Sequence, residues 1–134
     1  MATGTAATAA RQYHQQMVHY LRKTMAWDGT TASAVTVGVL PAGAVIVPNA
    51  SGAFVTTAFA ADTTAQTLDI GISADADEYA SALVLTTAGQ IELDVETDLL
   101  APTDLTVTAT LTAGTAPTAG SLEVIIAYIP DNDG

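Results

Sequence analysis

Residues 104–129 read DLTVTATLTAGTAPTAGSLEVIIAYI, and the fold is read most directly from this stretch. Along its first run Leu105, Val107, Ala109 and Leu111 alternate with Thr106, Thr108, Thr110 and Thr112. A side-chain period of two sends the apolar set to one face of a strand and the threonines to the other. The return run, residues 121–129, puts Leu122, Val124, Ile126 and Tyr128 on one face and Glu123, Ile125, Ala127 and Ile129 on the opposite one. Apolar on both faces near its end, it reads as a central, doubly covered strand. The linking residues 113–120 hold two glycines and Pro117, which predicts a hairpin joining the two runs. A helix is the poorer reading: threonine is a weak helix former, and no apolar stripe recurs at helical spacing.

Upstream, the same alternation recurs in short pieces. Strands are predicted over residues 34–40 (Val35, Val37 and Val39 on one face), 44–47, 53–60, 66–72 (Leu68, Ile70 and Ile72 inward), 83–85 and 90–95. Pro41, Gly43, Pro48-Asn49 and the polar Asp62-Thr63-Thr64 separate them. Residues 74–83 carry Asp75, Asp77 and Glu78 before Tyr79, and predict a loop plus one helical turn. Residues 11–27 fit two periods. Tyr13, Met17, Leu21 and Met25 mark a helix face, whereas Tyr20 and Arg22 against Leu21 and Lys23 mark a strand. The reading adopted is a short irregular or helical start, then a strand from about residue 17 to 27. Residues 1–10, only Ala, Thr and Gly after Met1, predict a flexible arm. Turn signals every 8–12 residues between short strands predict an all-β protein. The expectation is one β-sandwich, jelly-roll-like with about eight short strands, over residues 17–134, and a flexible or extended N-terminal arm over residues 1–16.

Charge narrows the function. Arg11, Arg22 and Lys23 are the only Lys or Arg residues, while every one of the 14 carboxylates lies at or after Asp28. A body without a single basic residue has no means of neutralising phosphates, which argues against nucleic acid and against an anionic membrane. No apolar run approaches the ~18 residues that span a bilayer, and nothing resembles a signal peptide, so a soluble protein is expected. The general consequence of a net charge of −11 is solubility through self-repulsion. A more specific one is that the basic N-terminal portion docks on an acidic partner while the body faces solvent. Arg11, Arg22 and Lys23, with the aromatic Tyr20 and Trp27 beside them, are the candidate partner-binding residues.

Catalytic chemistry finds little footing. His14 and His19 share no face in either secondary structure, and with no cysteine a nucleophile–base pair is hard to assemble. Asp75-Ala76-Asp77-Glu78 has carboxylates at alternate positions but lacks the glycine and later glutamate of an EF-hand, and an acidic solvated loop is the plainer reading. Glu92, Asp94 and Glu96 alternate along one strand and read as a solvent-facing stripe that protects an edge. No catalytic, cofactor or metal residue is assigned, and no enzyme activity is expected.

Several phrases together carry a resemblance: residues 35–46 (VTVGVLPAGAVI), 55–59 (VTTAF), 67–71 (TLDIG) and 113–120 (AGTAPTAG). From about Val35 to Ile129 the chain resembles small structural proteins of tailed bacteriophages encoded in the capsid-gene region. The resemblance implies a capsid decoration, or cement, protein: a β-sandwich unit, often trimeric, that is made in the host cytoplasm. It would sit on the capsid exterior of the virion, with the major capsid protein of the head as partner and no cofactor. Another virion component (a head fibre base, neck or tail protein) and a carbohydrate- or host-surface-binding sandwich are the alternatives, though the scarcity of aromatics speaks against the last.

Overall fold

A computed structural model of the chain describes residues 17–28, 33–60, 66–94, 98–112 and 118–130. Arg11 and the expected N-terminal arm lie outside them. The strands are β1 His19–Ala26, β2 Ala34–Leu40, β3 Val45–Ile46, β4 Gly52–Ala60, β5 Thr67–Ile72, β6 Asp75–Val84, β7 Gly89–Glu92, β8 Leu105–Thr112 and β9 Ala119–Ile129. A 3₁₀ turn spans Pro48–Ala50. The strands form two sheets, ordered β1-β9-β4-β7 and β2-β8-β5-β6, with β3 paired to the far end of β9. Every pairing is antiparallel. This is a β-sandwich, as the short alternating runs predicted.

Alternation fixes what lies between the layers. Leu122, Val124 and Ile126 of β9 meet Val107, Ala109 and Leu111 of β8 in one buried cluster that also takes in Leu68, Ile70, Val55 and Phe59. The Gly120 backbone has φ +142°, and a Cβ there would enter the Phe59 ring. Glycine at this point is what lets the ring lie across the end of β9. At one margin of the sandwich, Leu21 of β1 packs over Gly38 of β2, where a Cβ would stand 2.9 Å from Leu21 Cδ2.

Four expectations are corrected. The two runs of residues 104–129 are strands, but they are not a hairpin: β8 pairs with β2 and β5, while β9 lies in the other sheet between β1 and β4. Strand sequence alone cannot tell a hairpin from a crossover between layers when the loop is long enough for either. Residues 74–83 hold no helical turn; they open β6, whose bonds to β5 override the low strand propensity of Asp, Ala and Glu. In β2 the pairing shifts between Thr36 and Gly38, so Val39 turns outward and Leu40 is fully buried. That bulge reverses the parity that had put Val35, Val37 and Val39 on one face. Finally, the strand expected over residues 90–95 ends at Glu92.

Candidate interaction surface

The surface begins with β1, an edge strand whose alternate residues divide between core and solvent. Leu21 and Met25 turn inward, opposite Ile126 and Leu122. Tyr20, Arg22 and Thr24 therefore lie on the outer face of the β1-β9-β4-β7 sheet. Register carries the rows across. Thr24 stands beside Glu123, Glu123 beside Phe54, and Phe54 beside Gln90. One row along, Arg22, Ile125, Gly52 and Glu92 follow each other in the same way.

Gly52 opens a hollow in that second row. Its φ is +137°, and a Cβ would run into the Ile91 carbonyl, so β4 and β7 approach here only because the position is glycine. The result is a cleft of about 340 Å³ walled by Tyr20, Phe54, Ile125 and Gln90 and closed at one end by Asn49–Gly52. Two polar contacts hold that end. The Gln90 side-chain amide donates to the Asn49 carbonyl at 3.2 Å. Fully buried Ser51 donates through Oγ to the Val47 carbonyl at 2.7 Å and accepts from the Ala127 N–H at 2.9 Å.

Arg22 and Glu123 form a two-pronged ion pair beside the cleft, with Arg22 Nε 3.0 Å from Glu123 Oε1. The arginine is thus already neutralised, and its exposure makes the pair worth little to stability, at most about 1 kcal/mol. Lys23 leaves β1 on the other side and is exposed. Trp27 lies beyond the strand end, in a turn that its N–H ties to the Gly120 carbonyl at 3.0 Å. His19 stacks on Tyr128 with ring centroids 5.7 Å apart. Of the five residues singled out in the sequence, the fold brings Tyr20 and Arg22 together on one face. It sets Lys23 and Trp27 apart from them.

Phe54, Ile125 and Gln90 were not among the candidates. Phe54 alternates with Val55 in a run that is apolar on both faces, and alternation does not say which face is covered. The glycine that opens the cleft carried no signal of its own.

A second recess, about 320 Å³, lies between Glu78, Tyr79, Asp98, Leu100 and Leu105. Burial, then the neighbouring Asp75 and Asp98, push the Glu78 carboxyl above its ordinary value. Asp77 is raised chiefly by its hydrogen bond and repulsion with Asp75, which is itself held low by hydrogen bonds with Asp77 and Glu78. Burial raises the Tyr79 hydroxyl. Among the described residues no three acidic or histidine side chains converge as metal ligands. Asp94 does not join a stripe with Glu92, because it turns back to accept the Ser81 N–H at 3.0 Å.

The fold and this surface define a class, an antiparallel double-sheet sandwich with an apolar cleft on one outer face. No protein-family model and no curated protein matches the sequence. Among solved structures, a chain of the cyanophage Pam1 capsid asymmetric unit is similar with a TM-score of 0.67 and 22% identity, over 87% of this chain and 86% of that one. A chain of the capsid of Ralstonia phage GP4 is similar with a TM-score of 0.63 and 19% identity, over 90% and 87% respectively. At these identities the likeness is one of fold.

Proposed function

We propose that this chain is a non-enzymatic virion structural protein of the decoration, or cement, type, which binds the outer surface of an assembled phage capsid and stabilises it. The carrying observation is the shared fold with chains of two phage capsid structures, nearly end to end on both sides. Both come from capsids, which favours the head over the neck or tail as the site of action. The strand order supports the reading. Leaving out β3, the eight strands interleave between the sheets as β1-β9-β4-β7 over β2-β8-β5-β6, the winding of a jelly roll. Such a unit stabilises by mass action: binding the assembled lattice and not the free subunits shifts the balance toward the lattice. Many copies on one particle add multivalent restraint. The partner is the major capsid protein, the chain acts on the outside of the head, and its copies assemble into homo-oligomers, trimers by the resemblance.

The test is co-sedimentation of the full chain with expanded heads that lack it, beside a chain without residues 1–16, which leaves β1 whole. Saturable binding that raises the temperature at which heads release DNA is the expected result. If the shortened chain fails to bind, docking belongs to the N-terminal segment; if it binds equally, docking belongs to the sandwich. Absence of binding by the full chain overturns the proposal.

A further inference from the structure

The apolar cleft is the centre of a larger patch. Val18 immediately precedes β1, whose first residue His19 pairs with Tyr128; the next residue of β9, Ile129, pairs with Val45, and Val45 bridges to Leu100. An apolar row therefore crosses the end of the sheet, on the same outer face as Tyr20 and Phe54. These six side chains are each 40 to 57% exposed, and they are six of the ten exposed large apolar side chains among the described residues. A patch this continuous marks an interaction site on a soluble protein. The outer face of the other sheet is different, lined along β8 by Thr106, Thr108, Thr110 and Thr112.

Charge selects the occupant. On the patch side Arg22 is paired with Glu123, which leaves Glu92 as the one unpaired carboxylate along the two rows, so this side carries little of the chain's charge. The chain as a whole carries −11. Two copies approaching by the acidic opening of β6 bring Asp75, Asp77 and Glu78 together, whereas this side lets them meet with little net repulsion. Size agrees. Strands spaced about 4.8 Å apart and rising about 3.4 Å per residue give the face roughly 500 Å² in projection, before side-chain relief is added. A stable interface takes about 800 Å² of accessible surface from each partner.

We propose that a second copy of this chain covers the outer face of the β1-β9-β4-β7 sheet, seating against the cleft bounded by Tyr20, Phe54 and Ile125. The contact does not depend on the capsid reading. Because the facing surfaces carry little charge and the chain as a whole is strongly negative, salt strengthens association by screening the repulsion.

Sedimentation velocity of the full chain over a range of concentrations, from about 0.05 to about 0.5 M NaCl, tests this. The wild-type chain is expected at a multiple of its 13.6 kDa mass, and more completely so at high salt. A Tyr20→Asp, Phe54→Asp double variant, altered only at exposed positions, is expected to keep its circular dichroism while its association weakens at least about tenfold. Val84→Asp, an exposed apolar residue of the other sheet, is expected to associate as wild type does. A wild-type chain that stays monomeric overturns the proposal, even if the same double variant then fails to bind heads, because the face would then serve another partner. Undiminished association of the double variant, or dissociation by salt, overturns it as well.

Discussion

Ser51 takes the place of a strand neighbour. Where the chain leaves β3 for the 3₁₀ turn and re-enters as β4, the Ala127 carbonyl still accepts from the Val47 N–H at 2.8 Å, while the Ala127 N–H is accepted by the Ser51 hydroxyl, which donates to the Val47 carbonyl. Ser51→Ala leaves a buried N–H without its acceptor, which costs about 1–3 kcal/mol. Urea denaturation is expected to show a lower midpoint with an unchanged slope, since the surface exposed on unfolding is the same. A change in slope instead would point to a wider loss of structure. Nothing in the sequence marked this serine, because serine beside a Pro-Asn turn is ordinary. Its role exists only once residue 127 has been brought alongside.

At the scale of the element, β6 was the segment least legible in the sequence. Its Asp-Ala-Asp-Glu opening has poor strand propensity, and it is held in the strand by β5 pairing on either side of it, Ile72 with Asp75 and Ile70 with Ala80. The pairing slips between Leu68 and Ile70, and the Asp69 carboxylate fills the gap by accepting the Ala82 N–H at 2.7 Å. Ala82 pays for the bulge with φ +53°, a left-handed conformation that L residues avoid. Ala82→Gly removes that strain and gives back part of the gain in unfolded-chain entropy, for a net stabilisation of about 0.5–1 kcal/mol. Thermal unfolding checks it, and a lower midpoint would count against the bulge as strained.

The acidic opening of β6 yields a pH prediction. Asp77 and Glu78 have raised pKa values, so the folded chain binds their protons more readily than the unfolded chain does. Their ionisation therefore opposes folding above the folded pKa, and the loss is recovered as pH falls through it toward the unfolded value near about 4. The lowered Asp75 acts in the opposite sense and limits the net effect. Asp77→Asn is expected to be the more stable protein at pH 7, by a margin that salt reduces and that vanishes in acid below the ordinary carboxylate range. Urea midpoints measured for both proteins across pH decide it, and a variant less stable than wild type at pH 7 contradicts the sign.

For the whole molecule, charge and topology pull in different directions. A net charge of −11 on 134 residues, without a basic residue after Lys23, opposes compaction at low ionic strength. The unfolding temperature is expected to rise steadily with NaCl, and to rise at least as steeply in the Tyr20→Asp, Phe54→Asp variant, which adds two carboxylates, at concentrations where neither protein associates. A flat response would mean that the carboxylates are spaced beyond effective interaction.

The sequence alone settled what depends on near neighbours. Strand alternation set most inward and outward residues of β5, β8 and β9, because a side-chain period of two is a property of the backbone itself. The segregation of basic residues before position 24 was equally plain. Tertiary structure alone decided which strands pair, and it separated β8 from β9, which read as a hairpin, into opposite sheets. It also reversed the face of Val39 through a bulge, made a strand of residues 75–84, and gathered Tyr20, Phe54 and Ile125 from three strands around Gly52. The physical reason is one of range. Alternation is written in adjacent residues, whereas partner choice and the exposed face depend on packing between segments far apart in the chain.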